Sequence, residues 1–484
     1  MFACTPAEAR PHDEICLCQS PAFARLNALV ERKFTRRAFM AGVAAAGVAF
    51  VPNGVSAAIP DAPTTAVAFV NVKLFDGRSR TLADGQHVVV EKNRIKRVEA
   101  ASAPLEPGVQ IVDGGGRTLM PGLIDAHWHA MMAAMPVLEL MMADIGDITL
   151  VAAEEARKTL MRGFTSVRDM AGPSFALKRA IDRGVTAGPR IWPSGAMISQ
   201  TSGHGDFRLP FEVPANIAAP LSRGEAVGGG MIADGVDQVL KRTREQLMLG
   251  ASQIKLAAGG GVASQYDPID ISQYTEAEFR AAVDCAENWG TYVAVHAYTS
   301  RAIQTALRGG VRCIEHGQLM DEDAAKMIAD KGGWLSSQAF IDNEFANPYP
   351  EGSASRAKQR TMFAGTDNAF GLAKKHRLKT AWGTDILFDP KMTKNQGAVL
   401  ASMTRWYAPD EILVMATSTN AELLAMSGPR NPYPGKIGVI EAGAYADLLL
   451  VDGNPLADIR LLADPDKSLK AIMKDGRFYK NTLA

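Results

Sequence analysis

The strongest constraint on the fold is an alternation. Between Leu119 and Asp385, apolar runs of strand length take turns with stretches of helical periodicity. The runs read LMPGLIDAHWH, FTSVRDMAG, RIWPSGAMIS, QIKLAAGG, YVAVHAY, CIEHGQ, GWLSSQAF and RLKTAWGTD. Helical stretches such as Met135 to Arg162 and Glu276 to Asn288 separate them, the second with an acidic first turn and Gly290 just past its end. Eight strands interleaved with helices predict an α/β protein, a (β/α)8 TIM barrel. Two connections, 199–230 and 340–366, exceed ordinary loop length and are expected to form a lid or a binding wall.

The flanks read differently. AVAFVNVKLF, HVVVEKNRIKRVEA and QIVDGG precede the barrel, and KIGVI, ADLLLVDG and LKAIMKDGRFY follow it. These are strand and hairpin patterns punctuated by Gly and Asp. They predict a small β-sandwich domain made from both ends, with its parts at 64–118 and 431–484 and the barrel at 119–430 as an insertion.

Residues 1–58 read as a leader. Arg36-Arg37 precedes an apolar run, Ala38 to Val51, that is too short to span a bilayer and ends in small residues. The pattern resembles a bacterial twin-arginine export signal, so the mature chain is expected in the periplasm or secreted, without a stable membrane anchor. A cut after Ala57 would leave a net charge of −2 and two cysteines, Cys285 and Cys313, for which a disulfide and two buried thiols stay equally open. The whole chain has 52 basic and 52 acidic residues, which excludes the electrostatic footprint of a nucleic-acid binder.

Catalytic side chains of a barrel project from the C-terminal ends of its strands. Those ends carry His127 and His129, Lys255, His296, His316 and Asp385. Period-two alternation puts His127 and His129 on one face. Singly, each has a bland reading: a hydrogen-bonded core histidine, a lysine with a buried stem, a turn aspartate. Together the bland reading fails, because half of the eight histidines sit at three strand ends and packing does not ask for that. Imidazole with carboxylate suits Zn²⁺ and its neighbours. A buried lysine ligates only after losing its proton or becoming a carbamate. Met131, Met132, Met135, Met141 and Met142 are expected in the core, with an adaptable apolar pocket wall as the other reading.

The set PGLIDAHWH, QIKLAA, VHAYTSRA, IEHG and GTD, with GHGD at 203–206, resembles the metal-dependent amidohydrolase superfamily. Within it the chain is similar to the Xaa-Pro dipeptidase and imidazolonepropionase-like branch that includes bacterial and fungal ochratoxinases. That resemblance implies two divalent ions, most simply Zn²⁺, with His127 and His129 on one, His296 and His316 on the other, a carbamate formed from CO2 on Lys255 bridging them, and Asp385 as ligand and proton shuttle. It also implies hydrolysis of a carboxamide (an N-acyl amino acid, an Xaa-Pro dipeptide or an ochratoxin-type Phe amide) by a metal-bridged hydroxide, and a homo-oligomer. His204 and Tyr298 are expected to bind the substrate and the oxyanion, and Arg301 a substrate carboxylate. A lactonase or phosphotriesterase-like hydrolase on the same metal pair is the alternative. A mononuclear deaminase is disfavoured by Lys255, and a non-catalytic barrel by the complete ligand set.

Overall fold

A computed structural model describes residues 60–214, 220–343 and 349–483. They belong to one unit, Ala58–Ala484. The stretch expected to be an export leader, 1–58, lies outside the described residues.

The flanking segments fold as the alternation predicts, but into one sheet. Strands β1 (Val67–Leu74), β2 (Ala83–Glu91), β3 (Arg94–Ala100), β4 (Gln110–Asp113) and β5 (Thr118–Pro121) come from the N-terminal side. From the C-terminal side come β16 (Leu448–Val451), β17 (Leu469–Lys474) and β18 (Arg477–Asn481). The order is β18-β17-β16-β5-β1-β2-β3, with β4 also on β1. The two ends of the chain meet where β5 pairs antiparallel with β16, Leu119 opposite Leu450. Where a sandwich was expected, these strands form one sheet continuous through β1, whose ladder to β2 is interrupted between Phe69 and Val72. Asp475-Gly476, both at positive φ, close the β17–β18 hairpin, as an Asp-Gly turn favours. Phe69, Val88, Leu119, Leu448 and Met473 fill this core.

The middle of the chain gives parallel strands. β6 (Leu123–Trp128), β7 (Phe164–Asp169) and β8 (Arg190–Pro193) form one sheet. β9 (Met197–Ser199), β10 (Gly230–Ile232), β11 (Ile254–Ala257), β12 (Val293–Thr299), β13 (Cys313–Leu319), β14 (Trp334–Ser337) and β15 (Lys379–Trp382) form a second, ordered β10-β9-β11-β12-β13-β14-β15. Side-chain hydrogen bonds link the two sheets. Asn420 Nδ2 donates to Ile124 O at 2.7 Å and Trp382 O at 2.8 Å. Gln253 Nε2 donates to Trp192 O at 2.9 Å. The result is a TIM-barrel-like α/β domain.

The helix Glu276–Asn288 has the predicted bounds, with a Thr275–Glu278 capping box and Phe279, Ala282 and Ala286 buried. Two expectations need correction. The single helix over Met135 to Arg162 is two, Val137–Met142 and Ile145–Met161, because the Asp144 side chain caps the second. The connection 340–366 is not loop throughout: a helix, Ala354–Lys375, starts inside it, capped by Ser353. Cys285 and Cys313 are buried free thiols.

Candidate metal centre

β6 delivers His127, and His129 follows one residue beyond its end. β11 delivers Lys255, β12 delivers His296 and Tyr298, and β13 delivers His316. Asp385 follows β15. All of them line one cavity of ≈ 180 Å³, together with His204. Trp128, between the two histidines, packs into the apolar core.

The imidazoles form a chain. His127 and His129 have ring centroids 5.3 Å apart, His127 and His316 4.9 Å, His296 and His316 4.4 Å, and His204 stacks on His296 at 3.9 Å. Asp385 Oδ1 lies 2.9 Å from His129 Nε2 and 3.3 Å from His127 Nε2. Ligand atoms of His127, His316 and Asp385 all fall within 4.8 Å of one another.

The far nitrogens are already engaged. His127 Nδ1 meets Glu315 Oε2 at 2.8 Å, and His316 Nδ1 meets Gln338 Oε1 at 2.7 Å. A carboxylate and an amide oxygen only accept, so both Nδ1 atoms carry hydrogen and both Nε2 atoms keep a lone pair. Burial lowers His127 to about 4 and puts His296 and His316 well below the ordinary histidine range, so all three are neutral at pH 7. Burial also lowers Lys255 to about 8, although Glu315 and Asp385 pull the other way. Burial would raise Asp385, but His127 and the His129 hydrogen bond hold it below the usual carboxylate range.

A cation fits this donor set. Lys255 Nζ and His129 Nδ1 are buried without a hydrogen-bond partner, which is costly unless something else engages them. Neutral imidazoles and an ionised carboxylate converge, as a Zn²⁺-type ion requires. His316 at φ +78° and Asp385 at φ +56° both hold the left-handed backbone that such residues rarely adopt. Strain of this kind gathers at functional sites.

The other expected residues divide. Tyr298 is buried against His296, ring centroids 4.6 Å apart, and lines the cavity. His204 arrives on the long connection after β9, its Nδ1 2.7 Å from Ser264 Oγ. Arg301 is not at the site. It is exposed on the helix Ser300–Arg308 and does not line the cavity, because the first helical turn has already rotated away from the strand end. Both long connections do wall the cavity, through Phe207 on one side and Phe340, Tyr349 and Phe363 on the other. Of the methionines, Met131 and Met135 are core, Met132 lines the cavity, and Met142 is 80% exposed, contrary to a core assignment.

Several supporting residues escaped the sequence. Glu315 and Arg168 are fully buried and paired at 2.7 Å. Asp125 accepts from His127 N, Thr384 N, Thr384 Oγ1 and Gln396 Nε2, tying the strand of His127 to the turn of Asp385. The adjacency of Glu315 to His316 was a signal, but Glu315 does not line the cavity and acts on it only through His127 Nδ1.

The sequence profile of the amidohydrolase family matches residues 118–478. An ochratoxinase of Aspergillus niger is 32% identical over 382 residues, 75% of each chain. A prolidase crystallised with N-methylphosphonate-L-proline is 35% identical and superposes with a TM-score of 0.78, over 86% of this chain and 100% of that one. A Xaa-Pro dipeptidase with methionine in its active site is 28% identical with a TM-score of 0.72, over 86% and 100% of the two chains.

Proposed function

The chain belongs to the amidohydrolase family, and on that premise we propose that it is a binuclear metal-dependent hydrolase of carboxamides whose leaving group is an amino acid: N-acyl amino acids, Xaa-Pro dipeptides or an ochratoxin-type Phe amide. The observation that carries this reading is Lys255 Nζ, buried and unpartnered in the cavity that five histidines and Asp385 also line. His127, His129 and Asp385 would hold one ion, His296 and His316 the other, and Lys255 as a carbamate would serve both. When bound, such ions supply Lewis-acid polarisation of the scissile carbonyl and of the attacking water. Asp385 takes the proton from that water and delivers it to the leaving nitrogen, which departs poorly unless protonated. His204 and Tyr298 donate to the developing oxyanion. The parallel sheets act as one (β/α)8 barrel in this reading, and the leader directs export by the twin-arginine route.

Metal analysis of the purified protein, with a panel of N-acyl amino acids, Xaa-Pro dipeptides, ochratoxin A, lactones and paraoxon, tests it. Two divalent ions per chain and turnover of an amide are expected. One ion per chain, or turnover of lactones or paraoxon with every amide inert, overturns it.

A further inference from the structure

We propose that a second, wholly apolar cavity beside the metal centre receives the acyl chain of the substrate, so that the preferred substrates are N-acyl amino acids with medium-length aliphatic acyl groups. This rests on the reading of the site as a carboxamide hydrolase. Leu140, Met141, Ile145, Ile148, Pro173 and Val227 wall this cavity, and among the described residues no ionisable side chain lines it. It adjoins the catalytic cavity across a common wall, since Met132, Phe207 and Phe388 line both.

Those three side chains form the partition. Phe207 and Phe388 meet edge-on with ring centroids 6.2 Å apart. Phe388 sits at φ +57°, an outlier for an aromatic residue, and its N–H is held by Met132 O at 2.9 Å. The strained backbone places the ring at the junction of the two cavities. Methionine adapts its shape readily, and a methylene chain is slender enough to pass where a polar group would be left without partners. The cavity measures ≈ 40 Å³, room for about three water-sized groups. Its lining reaches solvent at Val137 and Ile145, 44% and 47% exposed, and Leu138, the residue after Val137, is 68% exposed. A chain longer than the cavity therefore continues onto apolar surface.

The experiment compares kcat/KM for N-acetyl-, N-butanoyl-, N-octanoyl- and N-dodecanoyl-phenylalanine with the metal-loaded enzyme. The expected result is a rise of at least about tenfold from acetyl to octanoyl. Leu140→Trp and Val227→Phe each fill the cavity from a different side, and in whichever variant keeps the wild-type melting profile the octanoyl-to-acetyl ratio should fall to within about twofold of one. A flat or falling series in an enzyme that hydrolyses the acetyl compound overturns the proposal and leaves the carboxamide reading intact. If no amide turns over, the carboxamide reading fails, and calorimetric binding decides the cavity: tighter binding of the octanoyl than of the acetyl compound, lost in Leu140→Trp, upholds it, and equal binding overturns it. A flat series together with dissociation of an oligomer by Leu138→Glu assigns that apolar surface to a second copy of the chain, which also overturns it.

Discussion

Glu315 Oε2 lies 2.8 Å from His127 Nδ1, and the same carboxylate takes two hydrogen bonds from Arg168 at 2.7 and 2.8 Å. All three residues are buried. Burial would raise the Glu315 carboxyl, but Arg168 holds it well below the usual range, so it is an acceptor at every working pH and fixes the His127 tautomer. Removing it frees His127 to turn and strands a buried guanidinium.

Glu315→Ala is therefore expected to fail on two counts. Loss of one partner of a buried pair costs about 3–5 kcal/mol, and loss of the group that orients a ligand histidine costs about 10–100-fold in metal affinity or activity. Thermal melts and metal retention after dialysis check both. Full metal content in Glu315→Ala would remove its orienting role.

Asp385→Asn and Lys255→Ala separate chemistry from metal loading. Asparagine keeps the shape of Asp385 but cannot take a proton, so turnover is expected to fall by several orders of magnitude while the fold persists. Lys255→Ala should lower both turnover and the number of ions bound. Near wild-type activity in either purified variant would refute the roles given to them.

His204 is held by a strap. Lys358 Nζ donates to the carbonyls of Gly261, Ser264 and Asp267 at 2.9, 3.0 and 2.7 Å, and Ser264 and Asp267 in turn face His204 Nδ1. Lys358→Met should loosen this loop and lower kcat about tenfold or more, with a smaller change in KM. His204→Asn should then cost much less in the Lys358→Met background than in the wild type, the sign of residues acting through one another. Gly261→Ala is a second probe, because a Cβ there would lie 1.9 Å from the His204 ring. Additive effects of Lys358→Met and His204→Asn would show that the strap serves stability only.

Lys474 gives a pH-dependent stability effect far from the metal centre. It is 6% exposed in β17, and burial lowers it to about 8 from an ordinary 10.5, with Arg190 adding to the shift. Between these values the unfolded chain holds the proton and the folded chain does not, so stability rises with pH across that window. Below about pH 8 the cost of burying the charge is fully present, on the order of 3 kcal/mol. Lys474→Met should be the more stable protein at pH 7, with its advantage shrinking towards pH 10. Denaturant melts of both proteins at pH 7 and pH 10 check this, and an equal difference at the two pH values would contradict it.

Much of the site was legible because its signals are local. A strand shows itself by an apolar run and a candidate site residue by its type at the end of that run, so β6, β11, β12 and β13 and the four histidines and lysine that line the cavity could be read in order. Arg301 misled because the direction of a helix's first turn is set by how the helix packs. The break at Ala143–Asp144 was missed because both halves keep apolar periodicity across it.

The sequence by itself determined which histidines, lysine and aspartate line the cavity, their order along the chain and the strands that bear them, since each depends on neighbours a few residues away. Only the tertiary structure decided how they are supported. Arg168 and Glu315 are 147 residues apart, and His127 and Glu315 are 188 apart. Their pairing exists only once the sheets bring β6, β7 and β13 together. The left-handed backbone at His316 breaks the period-two rule, so that Glu315 and His316, consecutive in the chain, both lie against His127. Packing imposes that conformation against the local preference of the residue, and local preference is all that a single sequence displays.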